Sequence, residues 1–290
     1  FVRQGLKVMA TRSRPGIVAL ADQAKMDSAP ATYHLGFLLG PRINAGGRVG
    51  QADLGARLLS TDNVQEAQKL SEHLDQLNAE RRQIEETVRA QAFAQAEERG
   101  FDAPLIWAAG EGWHPGVVGI VAARLKEASN RPAVVIGLDG VEGKGSGRSV
   151  AGIDLGNAIQ NLVQQGVLLK GGGHKMAAGL TVAQPLLEPA MEKLAELLKK
   201  QGADKLGVSD LRLDSVLMPG AATTDLITQL ENAGPFGAGA PGPRFAFPDM
   251  AISFAKRVGE NHLKIRFGDG LGASIDGISF GAFDTALGAA

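Results

Sequence analysis

The 290-residue chain is 44% hydrophobic and 21% charged, a composition typical of a globular protein long enough for two or three domains. Its net charge of −1 gives no overall basic field for nucleic acid, although a local basic groove is compatible with it. The absence of cysteine excludes disulfides and cysteine-ligated zinc, and no apolar run is long enough to span a bilayer. The visible start lacks the order of a signal peptide, so we expect a cytoplasmic protein without membrane contact.

Residues 1–60 show helical apolar spacing interrupted by turn signals. Within them, residues 35–50 (LGFLLGPRINAGGRVG) are predicted to form a glycine-rich loop that carries Arg42, Asn44 and Arg48. One interpretation is that the two arginines are ordinary surface side chains that contact only water. The asparagine and the nearby glycines nevertheless suit a nucleic-acid backbone that passes close to the chain.

A long helix is predicted from about residue 61 to residue 99, with Thr61 or Asp62 as its cap and Gly100 at its end. Its apolar positions recur at three- and four-residue spacing: Leu70, Leu74, Leu77, Ile84 and Val88. Ala67 and Arg81 interrupt this row of large apolar side chains, which a coiled coil would need to be continuous. We therefore predict a spacer helix between two domains.

Strand and helix patterns alternate between residues 104 and 201, which predicts an α/β domain with a layered sheet. Short alternating segments follow residue 206 and predict a small β-barrel. In that region the aromatic side chains at period two are predicted to be core: Phe245, Phe247, Phe254 and Phe267. Basic side chains there are candidate strand contacts: Lys256, Arg257, Lys264 and Arg266.

Three consecutive glycines precede His174 in GGGHKMAAGLTV, residues 171–182. A metal role for His174 is disfavoured, because Lys175 and Met176 are its neighbours and the chain has no HExxH, HxH or DxD pattern. A structural histidine in a turn is one alternative. The other is anion binding, with Gly172 and Gly173 forming a backbone nest for a phosphate and the imidazole donating to it.

Two further motifs carry phosphate-type donors. In GKGSGRS, Lys144, Arg148 and Ser149 alternate with glycines, and a guanidinium can bind a phosphate bidentately. The alternative there is a polar edge strand with solvated charges. In GEGWHPGVVGIVA, His114 precedes the start of a predicted helix, a position that attracts anions. Trp113 is predicted to fill a domain interface rather than to stack on a base.

Taken in order, GEGWHPGVVGIVAARL, GKGSGRSVAGIDL and GGGHKMAAGLTV resemble the DHH-associated domain of the RecJ family of single-strand-specific DNA exonucleases. Residues 35–50 resemble the end of the catalytic DHH domain of that family. NAGPFGAGAPGPRFAF resembles the beginning of its oligonucleotide-binding (OB) barrel. The resemblance extends over essentially the whole chain.

The resemblance implies an α/β protein with four parts. Residues 1–60 would end the DHH domain, 61–100 would form a long connecting helix, 101–205 the DHH-associated domain, and 206–290 a truncated OB-like domain. It also implies a 5′-to-3′ exonuclease that acts on single-stranded DNA in recombination and repair. Alternatives are a DHH-family oligoribonuclease or cyclic-dinucleotide phosphodiesterase, and a non-catalytic nucleic-acid-binding module.

The resemblance also implies residue roles. His174 is the expected catalytic residue, and Arg148 and Ser149 match positions that hold the DNA 5′ end or the scissile phosphate. The remaining expected contacts to the strand are Gly172, Gly173, Lys144, His114, Arg42, Asn44 and Arg48. A single-strand-binding protein or a helicase is an expected partner of the full protein, which is expected to be a monomer.

One departure from the family pattern concerns the metal centre. The chain has no Asp-His-His triplet, and its first forty residues contain only Asp22 and Asp27 as aspartates. We therefore expect the ligands for Mn²⁺ or Mg²⁺ upstream of Phe1. On this interpretation the chain is the part that grips the substrate and is inactive alone.

Overall fold

The computed structural model describes residues 1–207, 211–237, 239–285 and 287. The chain divides into two compact units, of which one contains residues 4–209 and the other contains residues 1–3 and 210–290. None of the described helices is both long and apolar enough to cross a membrane.

The N-terminal region is helical: α1 (Val2–Ala10), α2 (Pro15–Gln23), a π-helical segment (His34–Leu39), α3 (Gly40–Val49) and α4 (Leu54–Ser60). The predicted loop at residues 35–50 is therefore wrong. Leu39 and Ala45 are buried there, and a Cβ at Gly46 would lie 3.3 Å from the side chain of Leu74. The glycine permits close helix packing, and the buried contacts outweigh its low helix propensity.

The long helix α5 (Val64–Arg99) has 36 residues and is roughly 54 Å long at 1.5 Å per residue. Its cap is Asn63, whose side chain accepts a hydrogen bond from the Glu66 N–H at 3.0 Å. The Thr61 hydroxyl donates instead to the Glu66 carboxylate at 2.7 Å. The predicted helix is confirmed, with its cap one or two residues later than expected, and Gly100 ends it at φ +85°.

The two halves of α5 contribute residues to two different hydrophobic clusters. Leu70, Leu74 and Leu77 pack with the N-terminal helices, whereas Val88 and Ala92 pack with the α/β region. Both clusters belong to the unit of residues 4–209. The helix connects two cores as predicted, but it packs against both along its length, so it is not a bare spacer.

A five-stranded sheet forms the α/β region, with strand order β1-β2-β3-β5-β4. Its strands are β1 (Ile106–Glu111), β2 (Ala133–Asp139), β3 (Glu142–Arg148), β4 (Lys170–His174) and β5 (Ala177–Ala183). β1 and β2 are parallel and the other pairs are antiparallel. The helices are α6 (Pro115–Ser129), α7 (Leu155–Gln164) and α8 (Leu187–Lys200).

The sheet separates two layers of helix. On one face α6 packs on Ala108 and Val135, and on the other α7 and α8 pack on Ile136 and Leu180. Because successive strand residues point to opposite faces, each buried strand supplies apolar side chains to both layers. The predicted α/β domain is confirmed.

The second unit contains β6 (Ser215–Val216), α9 (Thr224–Ala233), β7 (Phe245–Ala246), β8 (Ala251–Val258), β9 (His262–Gly268) and β10 (Ser274–Ser279). β8, β9 and β10 form an antiparallel sheet, and β6 pairs with β7. These are OB-like strands, but they do not close into a barrel within the described residues.

The aromatic side chains of this unit are only partly buried. Phe245, Phe247 and Phe267 are half-buried, whereas Phe254 is 47% exposed, contrary to the prediction that it is core. The reason is that β8 is an edge strand whose residues are exposed on both faces.

Candidate nucleic-acid interface

Strand register places Arg148 and His174 on one face of the sheet. Arg148 of β3 lies opposite Ala177 of β5, and Ala177 lies opposite His174 of β4. Directly opposed residues project to the same face, and two strand spacings separate the outer Cα atoms by roughly 10 Å. The residue between them in the register is Ala177, whose side chain is a methyl group. Arg148 and His174 therefore share one face of the sheet with a small residue between them.

The glycines of GKGSGR face the opposite side of β3. A Cβ at Gly143 or Gly145 would lie 2.8 Å from Ile136, and one at Gly147 would lie 2.6 Å from Leu155. Core packing therefore requires these glycines, rather than the approach of a ligand. Lys144, Ser146 and Arg148 alternate with them and point away from that core.

The three glycines before His174 lie in the extended strand β4 rather than in a loop nest. A Cβ at Gly171 would lie 2.6 Å from Ile159, and one at Gly173 (φ +152°) would lie 2.5 Å from the carbonyl oxygen of Ala177. Both glycines are needed for packing. Gly172 is the exception, because the nearest atom to its Cβ position is 3.8 Å away.

Helices α3 and α6 touch beside this face. The ring Nδ1 of His114 caps α6 by accepting from the Gly116 N–H at 3.0 Å. The Arg48 guanidinium donates to the Gly116 carbonyl at 3.1 Å, and a Cβ at Gly116 would lie 2.1 Å from the Arg48 carbonyl oxygen. This contact brings the last turn of α3, and Arg48 with it, to the α/β region.

Arg48 and Arg148 are neighbours without a carboxylate partner among the described residues. Arg148 donates to the Ser146 hydroxyl at 3.0 Å and to the Gly147 carbonyl at 2.8 Å. Burial lowers the pKa of Arg148, and the positive charge of Arg48 lowers it further. An anion bound at this arginine pair would relieve their repulsion and accept charge-assisted hydrogen bonds.

Arg81 is a third guanidinium near the arginine pair, and it was not predicted as a site residue. Its side chain is 12% exposed, contacts Asn78 at 2.9 Å and pairs with Glu85. The pKa of Arg81 is lowered, mainly by burial. The negative charge of Glu85 raises this pKa, and the positive charges of Arg82 and Arg48 lower it. The available signal was the position of Arg81, four residues after Leu77 in the apolar seam of α5.

Two predicted phosphate contacts are engaged elsewhere. Arg42 Nε donates to Asp75 at 2.7 Å, and its Nη1 donates to the Leu38 carbonyl at 2.7 Å. Ser149 is 1% exposed and its hydroxyl donates to the Ile153 carbonyl at 2.8 Å. Neither side chain is presented to a ligand in this structure.

The remaining predicted residues lie on the surface of the same unit. Asn44 is exposed and lies one helical turn before Arg48, on the same face of α3. Lys144 is exposed and lines a cleft with His114.

Trp113 is 7% exposed, and its indole N–H donates to Gln91 of α5 at 2.7 Å. This side chain therefore fills the interface between α5 and the α/β region, as predicted.

A metal centre does not fit the residues present. Among the described residues, no group of three or more histidine, aspartate or glutamate side chains could hold a metal ion. Guanidinium groups without a carboxylate partner are suited to an anion, and His174 lies on the same face of the sheet as Arg148.

Comparisons with known proteins find similar domains and relatives. The DHHA1 domain model matches residues 102–201 and the RecJ OB domain model matches residues 213–289. The single-stranded-DNA-specific exonuclease RecJ of Escherichia coli K12 is 38% identical over 296 residues, which cover 98% of this chain and 51% of that protein. The RecJ of Bacillus subtilis is 31% identical over 90% of this chain and 34% of its own length.

A solved structure has the same fold. The crystal structure of RecJ from Thermus thermophilus in complex with Mn²⁺ matches with a TM-score of 0.81 and 30% identity, over 96% of this chain and 40% of that one. The Mg²⁺ complex of the same protein matches with a TM-score of 0.77. The chain thus spans about half the length, or less, of the relatives it matches.

Proposed function

We propose that the chain belongs to the RecJ family and is the substrate-binding part of a 5′-to-3′ exonuclease for single-stranded DNA in recombination and repair. The observation that supports this most is the arginine pair, Arg48 and Arg148, beside His174 and without a carboxylate partner among the described residues. Within the chain we propose the four parts 1–60, 61–100, 101–205 and 206–290, of which the first three pack as one unit.

The residues of this chain would bind and orient one phosphate of the strand. Arg148 would contact two phosphate oxygens, Arg48 would neutralise the charge from the side of α3, and His174 would donate a hydrogen bond from across Ala177. His174 thereby touches the reacting phosphate and is the catalytic residue we propose in this chain.

Hydrolysis would need Mn²⁺ or Mg²⁺ to activate water and to stabilise the leaving oxygen. We place the ligands for these ions outside this chain, because the described residues form no suitable cluster. The chain alone would then bind DNA without cutting it. We further propose a cytoplasmic monomer with a single-strand-binding protein or a helicase as partner.

The test uses the purified chain with 5′-phosphorylated, 3′-labelled single-stranded DNA in Mn²⁺, with an EDTA control and a blunt duplex for comparison. We expect the single strand to bind more tightly than the duplex, with no metal-dependent shortening. Shortening that EDTA abolishes would contradict the placement of the metal ligands. Failure of the folded chain to bind any single strand would contradict the proposed function.

Oligonucleotide length distinguishes the small-substrate alternative. A protein that grips a DNA strand binds a dodecamer more tightly than a dinucleotide, whereas an enzyme for dinucleotides gains nothing from further nucleotides. Competition between the two lengths for the same labelled strand measures the difference.

A further inference from the structure

Within the unit of residues 4–209, the helices that pack on β4 and β5 are α7 and α8, which lie on the face opposite to Arg148 and His174. In this unit the Arg148 and His174 face of these two strands is therefore open. On the open face Lys170, Gly179 and His174 are exposed, and Ala177 and Thr181 are half-buried. The helix on this face, α6, contacts β2 and β3 and borders the open area at Arg148 and Ser146.

Strand register organises this open face into three rows, each with one residue from β4, β5 and β3. The rows are His174–Ala177–Arg148, Gly172–Gly179–Ser146 and Lys170–Thr181–Lys144. Successive rows are two residues apart along each strand, so they are roughly 7 Å apart. We call this area the sheet strip.

Cationic groups stand at both ends of the sheet strip. Lys144 and Lys170 are exposed, and neither forms an ion pair with any described residue. In the middle row, the β4 and β5 positions are glycines and carry no side chain, whereas the Ser146 hydroxyl on β3 accepts a hydrogen bond from Arg148. Beyond the lysine row the next residue of β3 on this face is Glu142, whose negative charge marks the end of the strip.

We propose that the lysine row of the sheet strip is a second phosphate site for the same polynucleotide strand. The inference rests on the proposed function, because it requires the first phosphate to lie at Arg148 and His174. The two end rows are roughly 14 Å apart, so the second phosphate belongs to a nucleotide further along the strand. Gly172 and Gly179 of the middle row let the sugar–phosphate backbone lie against β4 and β5, and Lys170 and Lys144 hold the second phosphate from both sides of Thr181.

The first experiment removes the two charges. Lys144→Gln and Lys170→Gln are combined in the full chain, and binding of 5′-phosphorylated single strands is measured at several salt concentrations. We expect the dodecamer to bind about tenfold more weakly, and the slope of log affinity against log salt to fall by about 0.7 for one lost phosphate contact. Binding of the dinucleotide should not change.

Lys193→Gln is the matched control. Lys193 is an exposed lysine on α8, which packs on the other face of the sheet, so its loss should leave both the affinity and the salt slope unchanged. An equal loss in this control would show a general charge effect and would overturn the second site.

A neutral obstacle tests the same strip independently of charge. At Gly179 the nearest heavy atom to an added Cβ is the Gly145 carbonyl oxygen at 3.8 Å and the residue is exposed, so the Cβ of Gly179→Val is accommodated and the unfolding midpoint checks its γ-methyl groups. We expect this variant to keep its unfolding midpoint and to bind the dodecamer, but not the dinucleotide, more weakly. If the lysine and valine variants all bind the dodecamer as the parent chain does, the second site is overturned while the proposed function stands. If the parent chain binds no single strand, the proposed function fails.

Discussion

Gly116 lies where the first turn of α6 touches the last turn of α3. A methyl group at this position would stand 2.1 Å from the Arg48 carbonyl oxygen, well inside contact distance. Because both atoms involved belong to helix backbones, neither can rotate away, and the helices would have to separate. The position of Arg48 relative to Arg148 therefore depends on a residue that contributes no side chain.

We predict that Gly116→Ala weakens single-strand binding and lowers the unfolding midpoint, although it removes no charge. The matched control is Gly47→Ala on α3, where the nearest atom to the added Cβ is 3.9 Å away and the residue is exposed. Binding isotherms and thermal unfolding of both variants check this. Unchanged DNA affinity in a folded Gly116→Ala protein would contradict the importance of the α3–α6 contact.

The residue types in the sequence indicated some of the candidate site residues and misjudged others. Arg148 and His174 lie in motifs whose residue types indicate phosphate binding. Ser149 has the same residue type as a phosphate donor, but its hydroxyl is used by the Ile153 carbonyl in a buried turn. Burial of that kind depends on how the turn closes, and residue type does not reveal it.

The same limit applies to the glycines of β3. Their role depends on distant partners such as Ile136, which lies on the neighbouring strand. Sequence spacing alone suggests a bare backbone that a ligand can approach. Only the packed sheet shows that the bare side faces the core.

At the scale of elements, α5 protects the edge of the sheet. β1 is the outermost strand, and Gln95 of α5 donates to the Ala109 carbonyl at 2.8 Å and accepts from the Ala109 N–H at 3.1 Å. One side-chain amide thus replaces a neighbouring strand at this residue. One turn earlier, Gln91 accepts from the Trp113 indole at 2.7 Å.

We predict that Gln95→Ala lowers the free energy of unfolding by about 1–3 kcal/mol, because it leaves two backbone groups without partners. Glu98→Ala, an exposed substitution on the same turn of α5, should cost much less. Urea unfolding with an unchanged m-value measures both. Equal stability of the two variants would show that water replaces the amide at this edge.

Periodicity predicted α5, the strands of the sheet and its helices, because these elements bury one face or both. It failed at residues 35–50, where glycines suggested a loop and packing of Ala45 and Gly46 against α5 produced a helix. It also predicted a small β-barrel after residue 206, whereas the described strands form a three-stranded sheet and a separate strand pair. Closure depends on pairing between strands that are distant in sequence.

At the scale of the whole molecule, the two units differ in how much they bury. All three hydrophobic clusters lie in the unit of residues 4–209. Among the described residues after 210, the buried apolar side chains are Pro219, Ile265 and Ala282. The proposed phosphate sites also lie in the larger unit. A net charge of −1 did not reveal them, because composition does not show which charges share a face.

The central claim is that Arg48 and Arg148 hold a phosphate of single-stranded DNA. The most direct measurement is the affinity of the chain for a 5′-phosphorylated single strand with Arg48→Gln, with Arg148→Gln, and with the control Arg124→Gln, an exposed arginine of α6 that pairs with Glu127. We predict a loss of about 1.5–3 kcal/mol for Arg148→Gln, a smaller loss for Arg48→Gln and no change for the control. Folded Arg48 and Arg148 variants that bind as tightly as the parent chain would contradict the account.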